Sequence, residues 1–325
     1  MKEIYYLDAI KEALTQKMEA DEKVFLIGED VGVYGGAFGL TLGMIEEFGP
    51  SRVIDTPISE QGIVGIGIGA ALMGMRPVVE IMFSDFLMLT MEQIANQAAK
   101  IHYMFGGKAS VPLLIRTPGG GGTGAAAQHS QSIEAIFNHI PGLKIVMPST
   151  PYDAKGLFFS AIEDPNPVIF IEHKLLYKKV KGDVPKERYT IQLGEADIKR
   201  EGNDITVVAT SYMVHKVLAV AEKLKSEGIS VEVIDPRTIK PLDIDAIINS
   251  VKKTNRKVLV EEACYTGSFS SFLASEIQAK AFDWLDGPII RVTGLDTPIP
   301  YSVVLEDTVI PNEKRIEEGI KKVLL

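Results

Sequence analysis

Short, almost wholly apolar segments recur along this chain, and helical spacing fills the gaps between them. KVFLI (23–27), RVID (52–55), PVVEI (77–81), PLLI (112–115), KIVM (144–147) and VIFI (168–171) carry hardly a polar residue to turn toward water. A strand apolar on both faces must be covered on both faces. The fold that does this with alternating elements is a parallel sheet between two helical layers. Helices are expected over 7–19, 60–73, 86–103 and 153–163. Residues 178–194 (KKVKGDVPKERYTIQLG) break the rhythm with charge, Gly182 and Pro185, and read as a connection between domains. The pattern then restarts with strands at 205–209, 231–235, 258–262 and 289–293 and helices at 214–227, 243–252, 270–281 and 313–325. The fold class is therefore α/β, with two parallel-sheet domains at residues 1–185 and 186–325. A chain of 325 residues, 46% hydrophobic, is large enough for two cores.

Several function classes drop out. The single cysteine, Cys264, allows no intrachain disulfide and no cysteine-based zinc site, which fits a reduced, cytoplasmic setting. The first twenty residues carry acids and no signal-like apolar run, and no stretch approaches the roughly 18 apolar residues of a membrane span, so no membrane role is expected. A net charge of −9 argues against nucleic acid as a partner. The Lys178–Lys181 cluster reads as a solvated linker face.

Three segments are rich in glycine. GEDVGVYGGAFG (28–39) follows a strand, as a ligand loop would, but lacks the P-loop pattern. Gly65–Ala70 satisfies G-x-G-x-x-A, the dinucleotide fingerprint. That fingerprint requires a strand-to-helix turn, however, whereas Ser59 as N-cap puts these glycines inside a helix. Gly62, Gly65 and Gly69 then form one stripe, suited to close packing in a core or at an interface. Glu60 opens the same helix. Pairing with the helix dipole explains it; if it is also buried by a partner chain, it could hold or donate a proton. The third segment, PGGGGTGAAAQHSQS (118–132), is either a phosphate cradle or a flexible turn. His129, among Gln128, Ser130, Gln131 and Ser132, is either a site residue or an ordinary packed histidine. MFSDF (82–86) follows a strand, and its apolar pair either packs or clasps a flat ring.

With these segments in view, the chain resembles the beta subunits of the decarboxylating component of thiamine-diphosphate-dependent 2-oxo acid dehydrogenase complexes, the pyruvate, acetoin and branched-chain types. The resemblance runs nearly end to end. It is carried by GEDVG (28–32), residues 52–83, AAKIHYMFGG (98–107), residues 125–157, AIEDPNPVIF (161–170) and DPRTIKPLD (235–243). It implies a pyrimidine-type thiamine-diphosphate-binding domain followed by a transketolase C-terminal-like domain. It implies that Glu60 hydrogen-bonds the cofactor's pyrimidine N1′, that Met82 and Phe86 line the pyrimidine pocket, and that His129 works near the thiazolium in proton transfer or lipoyl acylation. It further implies a structural potassium site at Leu113, Ala161, Ile162, Asp164 and Asn166. The G-D-G…N motif that holds magnesium and diphosphate is missing, since Gly182-Asp183 is followed by Val184. The resemblance places that motif and the Mg2+ ligands on an alpha subunit, and so implies an α2β2 heterotetramer, with a lipoyl-bearing acyltransferase as further partner. The implied reaction is decarboxylation of a 2-oxo acid of pyruvate type, or cleavage of acetoin, with acyl transfer to lipoamide. Two rivals stand beside it: a nicotinamide-dependent dehydrogenase resting on Gly65–Ala70, and a non-catalytic scaffold subunit.

Overall fold

A computed structural model describes residues 1–324 of the chain, in two contact-defined units. The first unit comprises Met1–Gly119 and Ile136–Leu193, the second Gly120–Ala135 and Gly194–Leu325. The glycine-rich loop thus belongs with the C-terminal part of the chain, although the sequence inserts it into the N-terminal part.

In the first unit, β1 (Lys2–Tyr5) and helix α1 (Tyr6–Ala20) precede β2 (Val24–Gly28), α2 (Met44–Phe48), β3 (Val53–Asp55), α3 (Glu60–Leu72) and β4 (Arg76–Glu80). Helix α4 (Ala99–Met104), β5 (Leu114–Gly119), α5 (Glu134–Asn138), β6 (Lys144–Val146), α6 (Pro151–Glu163), β7 (Val168–His173), α7 (Leu176–Lys179) and β8 (Lys181–Val184) follow. Strands in the order β6-β7-β5-β4-β2-β3 pair in parallel. All residues of β2, β5 and β7 are buried, as two-faced coverage requires. Helix α6 starts on Thr150, whose hydroxyl accepts the Asp153 N–H, with Pro151 in the first turn.

Two local expectations fail. Part of the supposed connection is ordered: β8 pairs antiparallel with β1. The single helix expected over 86–103 is instead a 3-10 segment at Ser84–Thr90, a π-helical segment at Glu92–Ala98 and then α4. The physical reason lies in spacing. Ser84, Leu87 and Thr90 are buried while Met88 and Leu89 are exposed, a three-residue period that suits a 3-10 turn better than an α-helix.

The second unit holds β9 (Asp197–Arg200), β10 (Ile205–Ala209), α8 (Tyr212–Lys225), β11 (Val231–Asp235), β12 (Thr238–Lys240), α9 (Ile244–Thr254) and β13 (Lys257–Cys264). It ends with α10 (Phe269–Ala281), β14 (Ile290–Gly294), α11 (Val303–Val309) and α12 (Glu313–Leu324). Its five-stranded sheet runs β14-β13-β10-β11-β9. All pairings are parallel except β9 on β11, so an antiparallel edge strand closes a sheet expected to be wholly parallel. Val207, Val233, Val258 and Val260 from the sheet pack with Val217 and Ile320 from the helices. Among the described residues no helix is long and apolar enough to cross a membrane.

Candidate active site

In the first unit, Glu60 is the first residue of α3, and it is half-buried. Ser59 occupies the N-cap position, but its hydroxyl makes no capping bond. That hydroxyl instead lies 2.9 Å from where a Cβ on Gly62 would stand. The acidic company of Glu60 comes from the loop after β2. Burial raises the pKa of Glu29 above the usual carboxylate range, and the charges of Glu60 and Asp30 add to the rise. Asp30 adopts a left-handed backbone (φ 53°), which marks a constrained turn at the carboxyl end of β2. Glu29 is a carboxylate coupled to Glu60 that the sequence reading did not single out.

Met82 and Phe86 lie after β4, both half-buried. The 3-10 turn carrying Phe86 packs against α3. The Phe86 ring meets Phe83 edge-on at 6.1 Å, and Phe83 meets Phe38 in the same way at 5.8 Å. The pair at 82 and 86 therefore keeps part of its surface open beside an aromatic cluster.

Behind this region is a charged network in the sheet itself. The Arg116 Nε and Nη2 donate to the two oxygens of Glu172 at 2.8 and 2.6 Å, and Nη1 donates to Glu80. The Tyr177 hydroxyl donates to Glu172 at 2.6 Å. Arg116, Glu80, Glu172 and Tyr177 are all buried. Burial raises the pKa of Glu80 despite the arginine beside it. The sequence signal for this cluster was present: one charge sits near the carboxyl end of each of three apolar strands, PVVE, LLIR and VIFIE.

The glycine stripe of α3 points outward. A Cβ at Gly65 or Gly69 would meet nothing within 4 Å, and Ile66 between them is 55% exposed. The helical glycine packed against this unit's core is Gly67, where a Cβ would lie 2.7 Å from Val79 and 3.0 Å from Leu113.

The five residues proposed for potassium are all in this unit. Three lie in or just beyond the last turn of α6, where helix carbonyls lack internal donors and the dipole is negative. Their oxygens have partners: Arg76 donates to the Ile162 carbonyl at 3.0 Å, Val168 N–H to Leu113 at 2.9 Å and Asn166 N–H to the Asp164 carboxylate at 2.9 Å. Lys144 pairs with the other oxygen of Asp164.

His129 lies in the second unit, half-buried, in the loop after the glycines. The glycine run is not a phosphate cradle, because its N–H groups are already taken by the protein's own carboxylates. Gly121 N–H donates to Glu262 at 2.6 Å, Gly122 N–H to Glu306 at 2.7 Å and Gly124 N–H to the second Glu306 oxygen at 3.1 Å. Gly120 and Gly122 take left-handed φ values of 80° and 84°, which turn successive amides to one side. At Gly121 a Cβ would lie 2.5 Å from Ile310. Ser132 donates to Glu262 at 3.2 Å, so the loop is held on both sides of His129.

Further along, Glu134 is fully buried, and burial followed by the charge of Glu261 pushes its pKa up to about 8. One oxygen of each of these two residues has no hydrogen-bond partner. Below about pH 4.5, Glu134 is protonated in both folded and unfolded chains. Above that, only the unfolded form ionises, so Glu134 subtracts stability progressively from about pH 4.5 up to its folded value near 8. Glu134→Gln is accordingly expected to stabilise the chain by about 1–3 kcal/mol at pH 8, with the gain fading toward pH 4. Urea unfolding at both pH values checks this; a gain independent of pH would refute the assignment.

The chain is a two-unit α/β protein with an acid at the head of a glycine-rich helix, and comparison with known proteins shows its family. Residues 2–179 match the transketolase pyrimidine-binding domain and residues 194–316 the transketolase C-terminal domain. The chain belongs to this transketolase-like family. It is 50% identical to the beta subunit of acetoin:2,6-dichlorophenolindophenol oxidoreductase of Bacillus subtilis (strain 168), covering 95% of this chain and 94% of that one. It is 47% identical to the same organism's 2-oxoisovalerate dehydrogenase subunit beta, over 99% of each. It is 48% identical to the pyruvate dehydrogenase E1 component subunit beta of Rickettsia felis, over 97% of each. A solved structure described as a split-gene transketolase, an inactive beta4 tetramer, superposes with a TM-score of 0.81 at 22% identity, covering 99% of this chain and 98% of that one. This last likeness establishes the shared fold.

Proposed function

We propose that the chain is the beta subunit of a thiamine-diphosphate-dependent dehydrogenase that decarboxylates a 2-oxo acid of pyruvate type and passes the acyl group to lipoamide. The observation that carries this reading is Glu60 at the head of α3, next to a second carboxylate, with Met82 and Phe86 on the neighbouring turn. Thiamine diphosphate, when bound, supplies the electron sink for decarboxylation. Glu60 would hold a proton at pyrimidine N1′, with Glu29, whose pKa burial and the charge of Glu60 raise, as the neighbouring carboxylate. Met82 and Phe86 would flank the pyrimidine and exclude water from it. His129 would serve the reacting end in proton transfer or lipoyl acylation, on a loop anchored through Glu262 and Glu306.

Diphosphate and magnesium are assigned to an alpha subunit, because the chain lacks G-D-G. The exposed apolar face of α3 supports such a partner: Ile66 and Leu72 with Gly65 and Gly69 between them form a surface a second chain can approach closely. An α2β2 assembly that delivers its product to a lipoyl-bearing acyltransferase follows from this reading.

For potassium, the set at Leu113, Ala161, Ile162, Asp164 and Asn166 is rich in hard oxygens, and each carbonyl keeps a second lone pair beside its hydrogen bond. Exchanging choline for potassium is expected to raise the thermal midpoint by about 2–4 °C. Equal midpoints in the two salts would remove the site.

The function is tested by co-purifying the chain with its alpha partner and supplying thiamine diphosphate, magnesium and lipoamide. Pyruvate is expected to be turned over faster than branched 2-oxo acids, and His129→Ala to lose acyl transfer. Acetoin is the second reading, favoured by the 50% identical relative. Preference for acetoin in that panel would establish it, and turnover of none of these would refute both.

A further inference from the structure

Beside the Phe38–Phe83–Phe86 cluster is a cavity of about 450 Å³. Its walls are the loop after β2, with Tyr34 and Phe38, and the segment after β7, with Lys174, Tyr177, Lys178 and Lys179. Neither Glu60, Met82 nor Phe86 lines it, so it is distinct from the proposed pyrimidine pocket. Its chemistry is one-sided: three lysines and no acid line the wall of a protein whose net charge is −9. Lys178 and Lys179 are exposed and make no ion pair among the described residues. Lys174 is buried and holds its ammonium 5.4 Å from the centre of the Phe83 ring. The nearest buried carboxylates, Glu172 and Glu80, both face the guanidinium of Arg116.

The other wall is aromatic. Phe38 packs 5.3 Å from Tyr177 and is half-buried, while Tyr34 is 69% exposed at the rim. Gly36 and Gly39, both with left-handed φ, carry the loop around the opening, and a Cβ at Gly36 would lie 3.1 Å from Glu80. Cations on one wall and flat rings on the other are complementary to a ligand that joins phosphate to an aromatic base. The volume lies within the range of small-molecule sites.

We propose that this cavity is a binding site for a purine mononucleotide, with phosphates on Lys178 and Lys179 and the base against Tyr34 and Phe38. It accounts for Lys178 and Lys179 of the KKVK cluster as recognition elements, where composition alone suggests a solvated face.

The test is calorimetric titration of the purified chain, without any partner, using ADP, adenosine and pyrophosphate in turn. ADP is expected to bind, with adenosine and pyrophosphate each weaker by about tenfold or more, since each lacks one half of the recognition. The K178E/K179E variant is expected to abolish ADP binding, and Tyr34→Ala to weaken it by a comparable factor. Both positions are exposed, and circular dichroism verifies folding; K178Q/K179Q replaces the charge reversal if that variant aggregates. Absence of ADP binding at millimolar concentration, ADP binding unchanged in the lysine variants, or pyrophosphate binding as tightly as ADP would each overturn the proposal.

Discussion

Replacing Glu60 by Gln is expected to lower turnover of the reconstituted assembly by about 10²–10³-fold, within the range for loss of a positioned acid–base group. Gln preserves size and can still hydrogen-bond, so folding, assembly and cofactor affinity should change little. What it cannot do is exchange a proton at pyrimidine N1′. A purely structural role would not produce this result: Glu60 is half-buried in the first turn of α3, and its dipole interaction contributes only about 0.3–1 kcal/mol. Turnover within a factor of two of the parent enzyme would leave the chain a scaffold and would refute the catalytic assignment.

Arg116→Leu is expected to produce the largest loss of stability, about 3–5 kcal/mol near neutral pH. The guanidinium faces Glu172 with two hydrogen bonds and Glu80 with another, and all three residues are buried. Leucine strands two carboxylates without a cation. The deficit should shrink as pH falls, because protonation removes the stranded charge while the unfolded chain pays no comparable penalty. Denaturant unfolding at pH 5 and pH 8 reads this directly. A loss below 1 kcal/mol at pH 8 would show that the network is dispensable to the sheet.

The alternation of apolar strands and helices made the parallel sheets legible, because two-faced burial leaves a continuous apolar run. The elements that escaped are those whose burial is one-sided or whose period is irregular. KEIY and KGDV, which become β1 and β8, are half-polar and pair only with each other. Residues 84–90 hide a three-residue period inside an apolar stretch, and 92–98 continue as a π-helical segment. Glu60, Met82, Phe86 and His129 were proposed through family resemblance more than through local chemistry. The role of the glycines could not be read from sequence at all, since their partners, Glu262 and Glu306, lie 141 and 184 residues away in the chain. The Glu80–Arg116–Glu172 network could have been found, because a charge in an apolar strand has to be answered by another.

The central claim is that this chain holds one end of a cofactor completed by a second subunit. Equilibrium titration of thiamine diphosphate with magnesium, into the chain alone and into its assembly with the alpha partner, tests it most directly. The account predicts saturable binding to the assembly and none to the isolated chain at the same concentrations. Equal binding to the chain alone, or no binding to the assembly, would contradict it.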